Sequence, residues 1–443
     1  MPASRQQTRR RQPPSTGDQA LGPNGWLLVR LSVFLFLQYG ALGLWAVTIG
    51  TYIGANTGDA GSGMFSQGFI GLSGVTGAVG AMVSPLVLGV VADRYLATEK
   101  LLFMLHTFCA GCLWCMAVSQ NEWAFFFWLM VFSLAYTATV SLSTSLSLRA
   151  LPDSDRQFPI VRAMGTLGWV AAGVAIGYVW PKVTGGSIES EITPVWAGLI
   201  AELVLAGYCL TLPATPALGR TTAGWRAIMG GQRLWGNRPF MVFLAVSALA
   251  AAPSQLYDKF INLFLNQMGI VHAAAKLSIG QVTEVVCMLT LPLVMLRMRL
   301  KTLFLLGVSA WALRFILLAI ADAGATWPIY LSILVHGFSY TYVYMLGQLY
   351  ADRLADRESR GAAQGLHALF TIGVGHLSGA LIASMAQSTL LTPAGQQPPP
   401  YHWPAFWAVA FGMSSLAAIL FAWFFADTGT TPEVAEGNEV NAD

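Results

Sequence analysis

Apolar runs of about twenty residues recur along the chain, and short polar segments that carry most of the charges separate them. A run of this length crosses the hydrocarbon core of a bilayer as an α-helix. The pattern predicts an all-α integral membrane protein with twelve transmembrane helices. Their expected limits are 27–53, 67–91, 101–118, 122–148, 159–180, 194–213, 239–266, 278–297, 302–321, 327–350, 364–386 and 404–426.

A polar stretch at 214–238 divides the twelve runs into two sets of six. It follows Pro213 and contains Pro216, several glycines and four arginines, which is typical of a connection between two bundles. The sequence therefore predicts an N-terminal bundle over 26–213 and a C-terminal bundle over 239–426. Residues 1–25 are polar and basic, and residues 427–443 are polar and acidic, so both are expected to be disordered tails.

Basic residues predict the orientation, because Lys and Arg accumulate in cytoplasmic loops. If the basic arm is inside, the inside loops hold nearly all loop cations, and the outside loops hold only Lys182 and Lys276. Both termini are therefore expected in the cytoplasm. Two six-helix halves joined by a basic loop favour a carrier that rocks around a site at the midplane.

Composition narrows the class further. Apolar residues make up 55% of the chain and charged residues only 10%, far too few charges to cover a water-facing surface. The net charge of +3 gives no indication of nucleic-acid binding. Cys109, Cys112 and Cys115 have no neighbouring ligand that would complete a metal site. No phosphate loop or nucleophile with a base appears, so we expect no metal, no cofactor and no enzymatic activity.

Polar residues inside the apolar runs indicate the site, since they are costly in lipid unless they face a partner or a cavity. Gln255, Asp258 and Asn262 share one helical stripe, and Gln281 and Glu284 share another. Amides, hydroxyls and aromatic rings on facing stripes suit a flat, hydroxylated ligand. The predicted substrate-binding residues are Gln38, Trp45, Tyr136, Thr139, Arg162, Thr166, Trp169, Gln255, Asp258, Gln281, Glu284 and Tyr340.

Some of these groups could instead bond neighbouring helices, as hydroxyls and amides often do in membranes. That alternative is the expected one for Glu202, Arg314 and His106. In a two-bundle layout they fall on the peripheral third helix of each three-helix unit, so we expect packing or interhelical bonds there.

Several motifs carry a family resemblance. Residues 36–39 (Phe-Leu-Gln-Tyr) and 48–52 (Thr-Ile-Gly-Thr-Tyr) resemble the first helix of the bacterial proton-coupled nucleoside permeases, a family of the major facilitator superfamily. Residues 89–94, 158–168, 281–292, 310–315 and 363–365 are similar to further stretches of that family in the same order. The resemblance covers most of residues 30–426. It implies a multi-pass protein of the bacterial inner membrane that imports nucleosides with protons. We expect a monomer, but no feature of the sequence bears directly on the oligomeric state.

The resemblance also implies roles for individual residues. Arg162, Thr166, Gln255, Gln281 and Glu284 match polar positions associated with nucleoside binding, and Trp169 and Tyr340 keep an aromatic ring where the family has one. Asp258 stands in place of an asparagine, and Thr341 replaces the aspartate that serves proton coupling.

We therefore hypothesise that Asp258 or Glu284 takes the coupling proton, because a low-dielectric cavity favours the neutral form of a carboxyl group. The missing acid also permits uniport, and the sequence does not rank individual nucleosides. Two alternatives stay open: a facilitator for another hydroxylated solute such as a sugar or nucleobase, and a membrane sensor built on a transporter scaffold.

Overall fold

A computed structural model describes residues 23–94, 96–216, 232–354, 360–391 and 402–425. Within these ranges the regular elements are helices, accompanied by two isolated β-bridges, Thr57 with Phe65 and Asp322 with Ala325. Most of the predicted basic arm, residues 217–231 of the predicted central connection and the acidic tail lie outside the described residues.

Within the described ranges, twelve apolar helices follow each other and are numbered α1 to α12. They are α1 (Gly25–Ala55), α2 (Phe69–Arg94), α3 (Thr98–Ala117), α4 (Glu122–Ala150), α5 (Arg156–Thr184), α6 (Thr193–Cys209), α7 (Arg238–Gln267), α8 (Ala273–Met295), α9 (Leu300–Ile320), α10 (Trp327–Leu334 continued by His336–Arg353), α11 (Ala362–Leu390) and α12 (Trp403–Phe424). A single helical turn, Gln232–Trp235, precedes α7.

The predicted spans correspond to these helices. In the part of the chain that the structure describes, nine helices are long and apolar enough to cross a membrane, and α10 is a tenth that bends by 41°. The remaining two, α6 and the Phe69–Ser84 part of α2, are shorter apolar helices. The structure is thus consistent with twelve spans and confirms the all-helical membrane fold.

The helices pack as two bundles of six. In the first bundle α1 packs against α5 and α6, α2 against α4, and α3 against α4 and α6. In the second, α7 packs against α11 and α12, α9 against α10 and α12, and α8 against α10. The bundles meet where α1 and α2 contact α7, α2 contacts α11, and α5 contacts α8.

Several predicted boundaries were wrong. Helix α8 begins at Ala273 rather than at 278, α5 continues to Thr184, and α6 ends at Cys209. Lys276 and Lys182, expected in outside loops, are consequently helical and lie near the ends of α8 and α5. A lysine is tolerated there because its long stem lets the ammonium group reach water from inside the apolar segment.

Charged groups deep in the bundles bond neighbouring helices, as predicted. His106 Nδ1 of α3 lies 2.7 Å from Glu202 Oε2 of α6, and both side chains are fully buried. Arg314 of α9 is also fully buried and bonds three groups of α10. Such pairs satisfy groups that would otherwise stand unpaired in an apolar medium.

Several helices depart from regular geometry near the bundle interface. Pro253 interrupts α7, because proline lacks a backbone N–H and its ring clashes with the preceding turn. Helix α10 widens to a π-helix at Thr341–Met345, and α11 does so at Leu369–Gly375. Wide turns of this kind are frequent at functional sites. Helix α5 has a π-helical segment as well, at Ala175–Val179, so the backbones of α5, α7, α10 and α11 all depart from a regular α-helix.

Candidate functional site

A cavity of about 560 Å³ lies between the two bundles. The first bundle contributes walls from α1, α2, α4 and α5, and the second contributes walls from α7, α8 and α10. The volume falls within the usual range of pockets for small organic ligands. The lining combines aromatic rings with a few charged and amide groups, so it can hold a flat ligand with several polar substituents.

Nine of the twelve predicted residues line this cavity. They are Trp45, Tyr136, Arg162, Thr166, Trp169, Asp258, Gln281, Glu284 and Tyr340. All six helices that carry the predicted residues contribute, namely α1, α4, α5, α7, α8 and α10. Helix α2 contributes as well, through Thr76 and Gly77, and sequence analysis missed it. One hydroxyl and one glycine in an apolar helix give no polar stripe that could have indicated this wall.

The other three predicted residues lie away from the cavity wall. Gln38 is fully buried, and its Nε2 donates to Thr139 Oγ1 over 2.9 Å, which joins α1 to α4. Tyr136 adds a second bond between these helices, from its hydroxyl to the backbone oxygen of Gln38 over 2.9 Å. Gln255 is buried with its Oε1 against Gly74 of α2. These three residues therefore contact neighbouring helices, which is the alternative to substrate binding given above.

An aromatic wall faces the cavity from the first bundle. Trp45 meets Phe132 edge to face at 5.1 Å between ring centroids, and Phe132 stacks on Tyr136 at 5.4 Å. The guanidinium carbon of Arg162 lies 4.6 Å from the ring centroid of Tyr39, a cation–π distance. Rings held by their neighbours in this way present preformed faces on which a planar ligand can stack.

The second bundle presents Asp258 to the cavity. The hydroxyl of Tyr340 in α10 donates a hydrogen bond to Asp258 Oδ1. Lys259, the next residue, also lines the cavity. Among the described residues no ion pair joins Lys259 to a carboxylate, because consecutive helix positions point in different directions. Asp258 is therefore held by a neutral donor and remains exposed to the cavity.

Thr341 lies where the family resemblance predicts an acid. Its side chain is buried, and its hydroxyl points to the backbone oxygen of Glu284 rather than into the cavity. The preceding residue, Tyr340, reaches Asp258 instead. Position 341 therefore directly follows Tyr340, the residue that bonds the carboxyl group supplied by α7.

A polar network that was not predicted from the sequence connects residues of α8, α9 and α10. Arg314 NH2 donates to His336 Nδ1 over 3.1 Å, and His336 Nε2 lies 3.3 Å from Gln281 Nε2 and 3.7 Å from Glu284 Oε2. His336 also stacks on Tyr340 at 4.3 Å. The buried arginine is therefore connected through one imidazole to two residues of the cavity wall.

A second network crosses the bundle interface and reaches the cavity wall at Ala274. Glu189, in the connection between α5 and α6, is almost fully buried. Its carboxylate accepts hydrogen bonds from Asn262 Nδ2 at 2.8 Å, Asn266 Nδ2 at 3.0 Å and the backbone N–H of Ala274 at 3.2 Å. The hydroxyl of Thr51 in α1 donates to Asn262. These bonds tie the first bundle to α7 and α8.

Residues 26–429 match the family model described as Nucleoside H+ symporter. The putative nucleoside transporter YegT of Escherichia coli K12 is 31% identical over 409 residues, covering 90% of this chain and 94% of that protein. The xanthosine permease of the same organism is 28% identical over 419 residues, covering 90% and 96%.

A solved structure agrees with the sequence relatives. The crystal structure of the nucleoside transporter NupG superimposes with a TM-score of 0.78 at 26% identity, covering 90% of this chain and 99% of that one. The nucleoside permease NupG of E. coli K12 is 26% identical over 418 residues. The match therefore extends over both bundles.

Proposed function

Because the chain belongs to the nucleoside H+ symporter family, we propose that the cavity between its bundles binds a nucleoside and carries it into the cell together with a proton. The observation that carries the proposal is the composition of the cavity wall. Stacked aromatic rings in the first bundle face amide and carboxyl groups in the second. A nucleoside combines a planar base, which rings can stack on, with ribose hydroxyls and base edges that amides and carboxylates can bond.

We further propose that the protein lies in the bacterial inner membrane with both termini in the cytoplasm. The basic loops support this orientation. In that orientation the Glu189 network lies on the outer side, so the structure represents a state closed to the outside. Alternating access then requires these bonds to break when the opposite state forms.

Uptake assays test the proposed function directly. Cells that express the protein should take up radiolabelled uridine or adenosine with saturation, and a protonophore should remove the accumulation because it collapses the driving gradient. Unlabelled nucleosides should compete, whereas sugars should not. Cells carrying the empty vector provide the control. Competition by sugars alone would instead support the facilitator for another hydroxylated solute.

The proposed proton carriers are Asp258 and Glu284, of which we favour Asp258. Tyr340 precedes the position of the missing family acid, and its hydroxyl already bonds Asp258. Asp258 is also exposed to the cavity, whereas Thr341 is buried behind the wall. A proton on Asp258 could therefore exchange with whichever side the cavity faces.

Glu189→Gln should weaken the closure of the outer side. The substituted amide keeps the size of the side chain but presents an N–H donor to groups that themselves donate, so at least one of the three bonds is lost. A cysteine introduced at Ser133 in the cavity wall reports access from outside. We expect a membrane-impermeant thiol reagent to label Ser133→Cys about tenfold faster when Glu189→Gln is also present.

The matched control for this experiment is Glu191→Gln. Glu191 lies in the same connection but is exposed, and its carboxylate accepts a hydrogen bond from Thr193 Oγ1 of the same bundle. This variant should label at the rate of the parent. Equal rates in the Glu189 and Glu191 variants would contradict the role of Glu189 in closure.

A further inference from the structure

The buried guanidinium group of Arg314 fixes the hydrogen-bonding direction of its neighbours. Its Nε donates to the backbone oxygen of Ser332 at 3.0 Å, its NH1 to Ser339 Oγ at 2.8 Å, and its NH2 approaches His336 Nδ1 at 3.1 Å. The rings of Tyr257 and Trp311 cover it at 3.9 and 4.5 Å. A guanidinium group can only donate hydrogen bonds. His336 Nδ1 must therefore accept.

An imidazole that accepts at Nδ1 is neutral and carries its proton on Nε2. The Nε2–H group points towards Gln281 and Glu284, at 3.3 and 3.7 Å. Since the two amide heavy atoms of glutamine are distinguished only by their partners, the atom that faces this donor must be the amide oxygen. The amide NH2 group of Gln281 is then the free end of the side chain.

That free end faces the cavity. Gln281 lines the cavity and is only partly buried, and its other amide atom bonds no side chain within the described ranges. Glu284 lies three residues further along α8, on the same helical face, and also lines the cavity. A hydrogen-bond donor from Gln281 thus stands beside a carboxylate acceptor from Glu284.

This donor–acceptor pair complements one particular edge of a nucleobase. Uracil presents a carbonyl oxygen next to an N–H group, and hypoxanthine and guanine present the same lactam pattern. When the ribose is held in the same place, cytosine and adenine present the reverse order, with an amino donor where uracil or hypoxanthine has its carbonyl oxygen and a ring-nitrogen acceptor where these have an N–H group. A site that leaves a donor facing a donor loses the bond and leaves both groups without a partner.

We propose that Arg314 and His336 are positioning residues that turn the Gln281 amide donor towards the substrate, so that the cavity selects nucleosides with a lactam edge. The inference rests on the proposed function, since it assumes that a nucleoside occupies the cavity. Arg314 acts through His336 and does not touch the cavity itself. The groups around His336 are Arg314 from α9, Glu284 and Gln281 from α8, Tyr257 from α7 and Tyr340 from α10.

Matched substrate pairs provide the first test. Uridine and cytidine differ at this edge, as do inosine and adenosine. The unmodified protein should transport uridine and inosine with kcat/KM about tenfold above cytidine and adenosine, the effect of one hydrogen bond. Equal or reversed values would overturn the inference and leave the nucleoside function standing. Failure to transport any of the four would instead contradict the proposed function.

Variants of His336 provide the second test. A glutamine amide reaches the position of Nε2, whereas an asparagine amide reaches that of Nδ1. His336→Gln should therefore retain the preference for uridine over cytidine, and His336→Asn should lose it through about a tenfold rise in the KM for uridine. The yield and melting temperature of the purified protein measure folding in both variants.

Arg314→Met removes the donor that fixes the imidazole, and it should also reduce the uridine-to-cytidine ratio towards one. Arg314→Lys keeps a buried donor and should restore part of the ratio. If His336→Asn and Arg314→Met keep the full preference while cytidine uptake persists, the network is only structural and the inference is wrong. Loss of cytidine and uridine uptake in equal proportion in His336→Asn would likewise overturn it.

Discussion

Asp258→Asn is expected to abolish accumulation of nucleoside against a gradient while leaving exchange across the membrane intact. The amide keeps the size and the hydrogen-bonding capacity of the side chain, and it can still accept a bond from Tyr340. It cannot bind or release a proton. Substrate would therefore still bind and cross, but its movement would no longer be tied to the proton gradient.

The expected effect is large. A membrane potential of about 100 mV contributes roughly 2.3 kcal/mol per charge moved, which is about a 50-fold accumulation for one proton per substrate. The variant should accumulate nucleoside only to the external concentration. The measurement pairs pH-driven uptake with counterflow exchange in proteoliposomes, since exchange needs no net proton movement.

Glu284→Gln distinguishes the two candidate carriers. If Glu284 serves substrate binding, as the geometry around His336 indicates, this variant should raise the KM and keep concentrative uptake at saturating substrate. Preserved accumulation in Asp258→Asn together with its loss in Glu284→Gln would assign the proton to Glu284. Preserved accumulation in both variants would show that neither carboxyl group couples transport to protons.

The sequence could predict the helices and most of the cavity because both depend on local patterns. A run of about twenty apolar residues is sufficient to define a span, and helical spacing places Arg162 and Thr166 on one face of α5 whatever surrounds them. The same spacing cannot tell which neighbour a stripe faces. Gln38 and Thr139 therefore bond each other across α1 and α4, although both were expected to contact substrate.

The burial of Glu189 and the link between Arg314 and the cavity could not be predicted from the sequence, for a different reason. Glu189 lies in a polar connection, where a carboxylate is ordinarily solvated, and only the contact between bundles buries it. Arg314 was correctly expected to bond a neighbouring helix. Its link to the cavity passes through His336 on another helix, so no spacing along one helix could show it.

Gly50→Ala should prevent closure of the outer side and so reduce uptake without unfolding the protein. Helices α1 and α7 cross so closely at Gly50 that an added Cβ would lie 2.0 Å from the backbone oxygen of Lys259. A backbone atom cannot rotate away. If this overlap costs about 3 kcal/mol in the closed state, the equilibrium shifts more than 100-fold towards the open state. The bundles themselves stay intact, because the clash lies between them.

Gly168→Ala is the matched control, since its added Cβ would also lie 2.0 Å from a backbone oxygen, that of Phe36. This contact joins α1 to α5 inside one bundle, and it cannot be relieved by separating the bundles. We expect Gly168→Ala to lower the melting temperature and the yield, and Gly50→Ala to retain both. In Gly50→Ala the Ser133→Cys reporter should label faster from outside while uptake falls at least tenfold. Normal labelling and uptake in Gly50→Ala would show that transport does not require α1 and α7 to approach this closely.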